Sequence, residues 1–169
     1  WANTDGHGEV QLKWQTAPAV AGRPRDNDGR YPGTLDLQAN LAQVNASQVY
    51  RYLPVGLDKP VRDYLRESIV GGTVVGAKIK IKGPLATFPY ADRKQGEFQV
   101  AASLKDVTFA YSPASLMPAG SLPWPALTQL SGELSIDQSV LVVKGAKSQV
   151  AGLGGLQVTR AEAEISHLY

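Results

Sequence analysis

The chain contains no cysteine, which excludes a disulfide framework and thiolate metal sites, and leaves thiol usage silent on the redox compartment. Histidine is nearly absent too: only His7 and His167 occur. No G-x-S-x-G elbow, H-E-x-x-H pair or P-loop is present, so the residue sets for Ser/His, zinc-hydrolase and nucleotide chemistry are missing. No catalytic residue, no metal ligand set and no cofactor is expected. The longest apolar runs fall well short of the about 18 to 20 residues that span a bilayer, and no basic segment leads into an apolar core at the start. No transmembrane segment is therefore expected within these residues. A net charge of only +2 lacks the concentrated basic surface that duplex DNA or RNA calls for, so nucleic acid is not an expected partner.

What is present points to strands. The composition, 43% hydrophobic and 19% charged, is that of a folded chain. Seventeen glycines and eleven prolines favour many turns between short elements over a few long helices. The start at Trp1 and the stop at Tyr169, directly after an alternating segment, read as a piece excised from a longer protein.

Alternation with period two, the mark of a strand with one buried face, recurs along the chain. Val10, Leu12 and Trp14 alternate with Glu9, Gln11 and Lys13. Residues 16–32 then read as a flexible loop, interrupted by Pro18, Gly22, Pro24, Gly29 and Pro32. From Gly33 a second strand sets Leu35, Leu37, Ala39 and Leu41 against Asp36, Gln38 and Asn40. Later strands put Val75, Ala77, Ile79 and Ile81 opposite Gly76, Lys78, Lys80 and Lys82, and place Phe98, Val100, Ala102 and Leu104 on one face. A change of phase at Lys105-Asp106 predicts a bulge before Val107, Phe109 and Tyr111. Further strands follow at Leu130 to Ile136, Val140 to Val143 and Leu156 to Leu168.

Two helices interrupt the pattern. Asn45 with Gln48 three residues on has the form of a capping box, and Ala46, Val49, Tyr50 and Leu53 recur at helical spacing until Pro54, which gives a short helix near 46–53. Asp58 can cap a second helix near 58–70, with Val61, Tyr64, Leu65, Ser68 and Ile69 on one face and Gly71 or Gly72 closing it. The expected division is a strand plus flexible loop over 1–32 and a β-repeat domain over 33–169. The fold class expected is mainly β with a small helical hairpin, in an antiparallel, twisted or curved sheet.

A repeat is also expected. Ala39 to Val44, Ala102 to Val107 and Ala163 to Leu168 share the pattern A-x-[LI]-x-x-[VL] at nearly equal spacing, each closing an alternating segment with the same phase slip.

Polar features have plain readings beside sharper ones. Asp26-Asn27-Asp28-Gly29 lacks the ligand spacing of a calcium loop and reads as a solvated turn. Gly152-Leu153-Gly154-Gly155 has no helix after it to complete an anion site, and reads as a hinge between strands. Lys78, Lys80 and Lys82 form a stripe that either meets anionic headgroups or is a solvated outer face with edge protection. The apolar strand faces are either a closed sandwich core or the floor of an open trough, and periodicity alone serves both.

Several short elements appear in a recognisable order. They are Arg51-Tyr52-Leu53-Pro54, Arg62-Asp63-Tyr64-Leu65, Gly71-Gly72, the strand Ala77 to Gly83, Phe88-Pro89-Tyr90, Gly96-Glu97-Phe98, Trp124-Pro125 and Gly132-Glu133-Leu134. In these, over about Gly33 to Leu168, the chain resembles the central periplasmic region of the YhdP branch of the AsmA-like family. The resemblance implies a non-enzymatic segment of a Gram-negative envelope protein. Its periplasmic body would form an extended β groove that shields acyl chains as phospholipid moves toward the outer membrane, maintaining the outer-membrane barrier. It further implies an inner-membrane anchor outside this segment and contact with the remaining segments of the same long chain. The expected lipid-contact residues are Leu35, Leu37, Leu41, Ile79, Ile81, Phe98, Val100 and Leu104. Lys78, Lys80 and Lys82 are the candidates for headgroup contact. The competing expectation is an architectural or protein-binding segment with no direct lipid contact.

Overall fold

Where apolar and polar residues alternate, an extended backbone sends one set to each side of a sheet, and in this protein every such segment joins a single sheet. The computed structural model describes residues 1–16, 33–53, 59–90 and 92–168. The loop expected at 16–32, with its Asp26 to Gly29 turn, lies outside the described residues apart from its first position, as do Pro54 and the proposed cap Asp58. The strands are β1 (Ala2–Asn3), β2 (Gly6–Gln15), β3 (Thr34–Asn45), β4 (Ile69–Pro84), β5 (Glu97–Phe109), β6 (Leu127–Asp137), β7 (Val140–Val150) and β8 (Gln157–Ile165). They lie in sequence order and every neighbouring pair is antiparallel. The fold is thus a mainly β, antiparallel meander, as the alternation predicts. Antiparallel sheets tolerate one wet face, and the described strands form one sheet. Strand β2 pairs with β3 from Gly6 opposite Val44 to Gln15 opposite Thr34, so the first strand is continuous with the rest.

Register shifts interrupt the ladders. Ala42 is the extra residue in β3 opposite the step from His7 to Gly8. A second shift between Val75 and Lys78 surrounds Gly76, whose φ is 61°. The bulge expected at Lys105-Asp106 is present, with Asp106 at φ 51°. Further shifts fall beside Gln129 (φ 52°) and Gly145 (φ 60°). Each bulge adds local twist and bends its strand, so a meander with so many of them coils rather than lying flat. One expectation is corrected here. The shift at Gly76 puts Val74, paired with both Val44 and Leu104, on the face of Ala77 and Ile79. Val75 pairs with Gln43 and Ser103 on the other face. A single extra residue reverses the phase of everything before it.

The helical hairpin sits between β3 and β4 with three further corrections. The element at Ala46–Tyr52 is a 3-10 helix. Asn45 caps it by accepting from the Ser47 N–H at 3.1 Å, but Gln48 bonds to the Ser47 hydroxyl instead of returning to Asn45, so the capping box is half formed. Helix α1 spans Lys59–Ser68 and runs straight into β4. Ile69 is therefore a strand residue, and Gly71 and Gly72 lie within the strand rather than ending the helix. Within α1, Tyr64 and Leu65 are half-buried and Ser68 is fully buried, while Val61 is exposed.

The first two A-x-[LI]-x-x-[VL] segments match closely. Ala39 and Ala102 are buried, each is followed by a bulge, and Val44 and Val107 are both buried at the same end of the sheet. The third departs from them. Ala163 shares the face of Ala102 through Leu134 and Val143, but β8 runs opposite to β3 and β5. Leu168 therefore lies past the end of β8, at the opposite end of the sheet from Val107, and its N–H donates to the Ser139 carbonyl at 3.0 Å.

Candidate functional site: an open apolar face

Directly paired residues of antiparallel strands point to the same side, so the register assigns the faces. Leu35, Leu37 and Leu41 of β3 pair with Gly83, Ile81 and Ala77 of β4. Ile79 pairs with Ala39 on one side and Val100 on the other, Ile81 with Phe98, and Val74 with Leu104. All eight apolar candidates therefore share one face.

That face extends beyond the candidates. Val10, Leu12 and Trp14 of β2 pair with Ala39, Leu37 and Leu35. On the other flank Val100 and Ala102 pair with Ile136 and Leu134, which pair in turn with Leu141 and Val143, and these with Ile165 and Ala163. The same period-two signal that marked the candidates marks these residues too. The face is thus wider than the three strands that hold the candidates.

Burial shows that, among the described residues, no second layer covers the middle of this face. Among its residues the fully enclosed ones are small, Ala39, Ala77, Ala102 and Ala146, together with Val44 and Val107 near one end. The eight large candidates are all only half-buried, and Val10, Leu12 and Trp14 are exposed, Leu12 at 57%. A closed sandwich core would bury these large side chains and not merely the alanines between them. The result, among the described residues, is an apolar face, here termed the trough, whose alanines are enclosed between half-buried leucine, isoleucine and valine side chains.

Both ends of the trough carry covers. At one end the 3-10 helix and α1 lie against the ends of β3 and β4. The N-terminal hairpin is fastened there by Asp5, which accepts from Arg51 Nη1 at 2.9 Å and from the Tyr52 hydroxyl at 2.8 Å. At the other end the connection between β4 and β5 folds over the sheet. Tyr90 is fully buried, and its ring lies over Gly83 and Gly96, where an added Cβ would come within 2.8 and 2.7 Å of ring carbons. Phe88 meets Tyr90 edge-on at 5.6 Å and Phe98 at 5.2 Å between ring centroids. Gln138 ties the next turn down by donating to the Gly96 carbonyl at 2.6 Å and accepting from the Phe98 N–H at 3.0 Å.

Lys78, Lys80 and Lys82 stand on the opposite face, paired with Asn40, Gln38 and Asp36 of β3 and with Ala101, Gln99 and Glu97 of β5. Lys80 is ion-paired with Glu97. The hydrogen bond from Lys80 holds the Glu97 carboxyl below its usual range, with smaller help from the charges of Lys82 and Arg93. The stripe is accordingly part of a mixed-charge, solvated surface on the far side of the sheet from the trough.

His7 and Asp5 both line a shallow polar cleft with Asn3, Asn45 and Thr73. Asp5 is already engaged by Arg51 and Tyr52 there, and no cluster of three or more metal-ligating side chains occurs among the described residues. His167 lies past the end of β8, at the opposite end of the sheet from this cleft. No helix among the described residues is long and apolar enough to cross a membrane.

A family model described as YhdP protein matches residues 2–169 of the chain. Neither a curated protein nor a solved structure matches it.

Proposed function

The chain belongs to the YhdP family and is a segment of an AsmA-like envelope protein, and from this premise we propose that its apolar face holds the acyl chains of phospholipid in passage between the inner and outer membranes. The observation that carries the reading is a seven-strand apolar face, from β2 to β8, most of whose large side chains are half-buried or exposed. Such a surface in water is costly, and each lipid methylene that covers it returns about 0.8 kcal/mol. An acyl chain needs no directional partner, which suits a trough whose walls from Leu37 to Leu104 offer none. Antiparallel strands supply the polar counter-face on the same backbone, so the segment stays wettable outside while remaining apolar inside. In this reading the segment works without catalysis, lies in the periplasm, and is held to the inner membrane by residues elsewhere in the full protein.

Photo-crosslinking side chains placed at Leu37, Ile79 and Val100, with Lys80 as the opposite-face control, test it in the full-length protein. Phospholipid adducts at the first three and none at Lys80 are expected. Equal labelling on both faces, or none at any trough position, would leave an architectural role in its place. Native mass spectrometry of the chain purified without detergent should show bound phospholipid.

A further inference from the structure

The end of the sheet that carries α1 is also where exposed apolar side chains gather, outside the trough. The β5–β6 connection exposes Leu122 at 84% and Trp124 at 61%, with Leu116 beside them, and the β7–β8 turn exposes Leu153 and Leu156 at about half. The two connections are neighbours: the Ala151 N–H donates to the Ala126 carbonyl at 2.8 Å. The first is braced on α1, because the Tyr64 hydroxyl donates to the Tyr111 carbonyl at 3.1 Å and the Ser115 hydroxyl reaches Glu67 at 3.3 Å. Tyr111 in turn meets Trp124 edge-on, with centroids 6.0 Å apart.

Two further observations fix the chemistry of what this rim would meet. First, 19% of the chain is charged, yet no charged residue lies between Asp106 and Glu133, nor between Lys147 and Arg160. Both connections, and the strand ends that bear them, are neutral. Second, the β5–β6 connection contains Pro113, Pro118, Pro123 and Pro125, which have no N–H to leave unpaired. Several of its remaining donors are closed into turns: Leu116 to Pro113, Met117 to Ala114 and Ser121 to Pro118. A loop bound for a protein surface has no need to shed both charge and backbone donors, since a protein partner can pair them. An apolar medium cannot, and each unpaired group taken into it costs several kcal/mol. Trp and Tyr with Leu at the tips are the side chains that settle at the boundary between headgroups and acyl chains.

We propose that the β5–β6 and β7–β8 connections form a bilayer-docking rim, inserting Leu122 and Trp124 into the interfacial zone of a phospholipid membrane. Because the inserted segments are neutral, binding depends on apolar area and not on anionic lipid. The proposal does not require the trough to carry lipid.

The test is flotation of the chain with phosphatidylcholine vesicles at low and high salt, beside a Leu122→Ser/Trp124→Ser double variant whose folding is verified by circular dichroism. Both positions are solvent-exposed, so the variant should fold. Expected are vesicle binding that changes less than about twofold with salt and falls about tenfold or more in the double variant. A protein with Trp1 and Trp14 replaced by phenylalanine should show a blue shift of Trp124 emission on adding vesicles. Absence of flotation, flotation unchanged in the double variant, or binding abolished by salt would each overturn the proposal. A concentration-dependent dimer that the double variant dissociates would assign the rim to a second copy instead. Failure here with lipid crosslinks retained at Leu37 and Val100 would reject the docking rim alone and leave the trough standing.

Discussion

The Asp5 carboxylate and the Tyr52 hydroxyl, 2.8 Å apart, join the first turn of the chain to the helical hairpin across the end of β3. The same Asp5 oxygen accepts from Arg51 at 2.9 Å, Asn3 donates to the Tyr52 hydroxyl at 2.8 Å, and Trp1 packs edge-on against the Tyr52 ring at 5.5 Å. Asp5 is 9% exposed, but its donors Arg51 and Tyr52 are about half exposed and can turn to water when it is removed, so the loss is that of the hydrogen bonds themselves. Asp5→Ala should cost about 1 kcal/mol, measured by urea unfolding. Amide exchange should quicken over residues 1–8 while β4 and β5 stay protected. Uniform exchange across the sheet would show that Asp5 acts on the whole fold and not on the hairpin.

Tyr90 is completely enclosed and its hydroxyl has no hydrogen-bond partner among the described residues. A buried phenol in that position carries a desolvation cost without a return. Tyr90→Phe keeps the ring over Gly83 and Gly96 and should be neutral or stabilising by about 1 kcal/mol, read from the thermal midpoint. Burial also pushes the Tyr90 phenol above its usual range. In the unfolded chain it ionises near about 10, so above that pH the unfolded state gains stability that the folded state is denied. The contribution is complete below pH of about 10 and is lost as pH rises through the raised folded value. The alkaline fall in stability should therefore be shallower in Tyr90→Phe. An identical alkaline limb in the two proteins would show that Tyr90 ionises freely in the fold.

The faces were legible in the sequence because period two leaves little choice. Leu35, Leu37 and Leu41 on one side and Lys78, Lys80 and Lys82 on the other follow from alternation alone. The side of Val74 did not, since a bulge just after two adjacent valines leaves no trace in an apolar pattern, and only the register across Gly76 decides it. The bulge at Lys105-Asp106 was visible because there the extra residue is polar. Whether the face was open was not legible at all. That depends on whether anything packs over Ile79 and Val100, a tertiary fact, and alternation is the same either way. The third A-x-[LI]-x-x-[VL] segment failed for a similar reason: a short motif has no record of strand direction, and β8 runs opposite to β3. The Tyr90 plug and the Asp5 latch depend on residues far apart in the chain, and neither has a local signature.

Opposite faces of the sheet should respond differently to charge. Val100 is half-buried between Ile79 and Ile136 on the open face, where an aspartate retains access to water, so Val100→Asp should fold with a loss of about 1 to 3 kcal/mol. In the full-length protein it should abolish crosslinking of lipid at neighbouring Ile79, because an unpaired charge in an apolar path is costly to cover. Lys80→Glu exchanges a solvent-accessible ion pair with Glu97 for a like-charge contact, which should change stability little, and should leave crosslinking unchanged. Complete unfolding of Val100→Asp would indicate that the face is roofed in solution.

Gly72 and Gly76 occupy the same strand, both with positive φ, 107° and 61°, yet they should differ sharply when replaced. At Gly76 nothing lies within 4 Å of where a Cβ would stand, so Gly76→Ala meets only the backbone penalty of a left-handed position, about 1 kcal/mol. At Gly72 the new atom would fall 2.4 Å from the Val107 Cα and 2.7 Å from the Asp106 carbonyl oxygen. Those are backbone atoms that cannot swing aside. Gly72→Ala must therefore push β4 away from the bulge in β5 or lose the pairing there, at a cost of about 3 kcal/mol or more. The damage has a defined location, because Val107 is 4% exposed and helps close the helical end of the trough. Urea midpoints of the two variants give the energies, and amide exchange at Val107 and Thr108 gives the place. Equal costs for both substitutions would mean that β4 and β5 do not approach as closely at Gly72 as described, and that φ alone governs this strand.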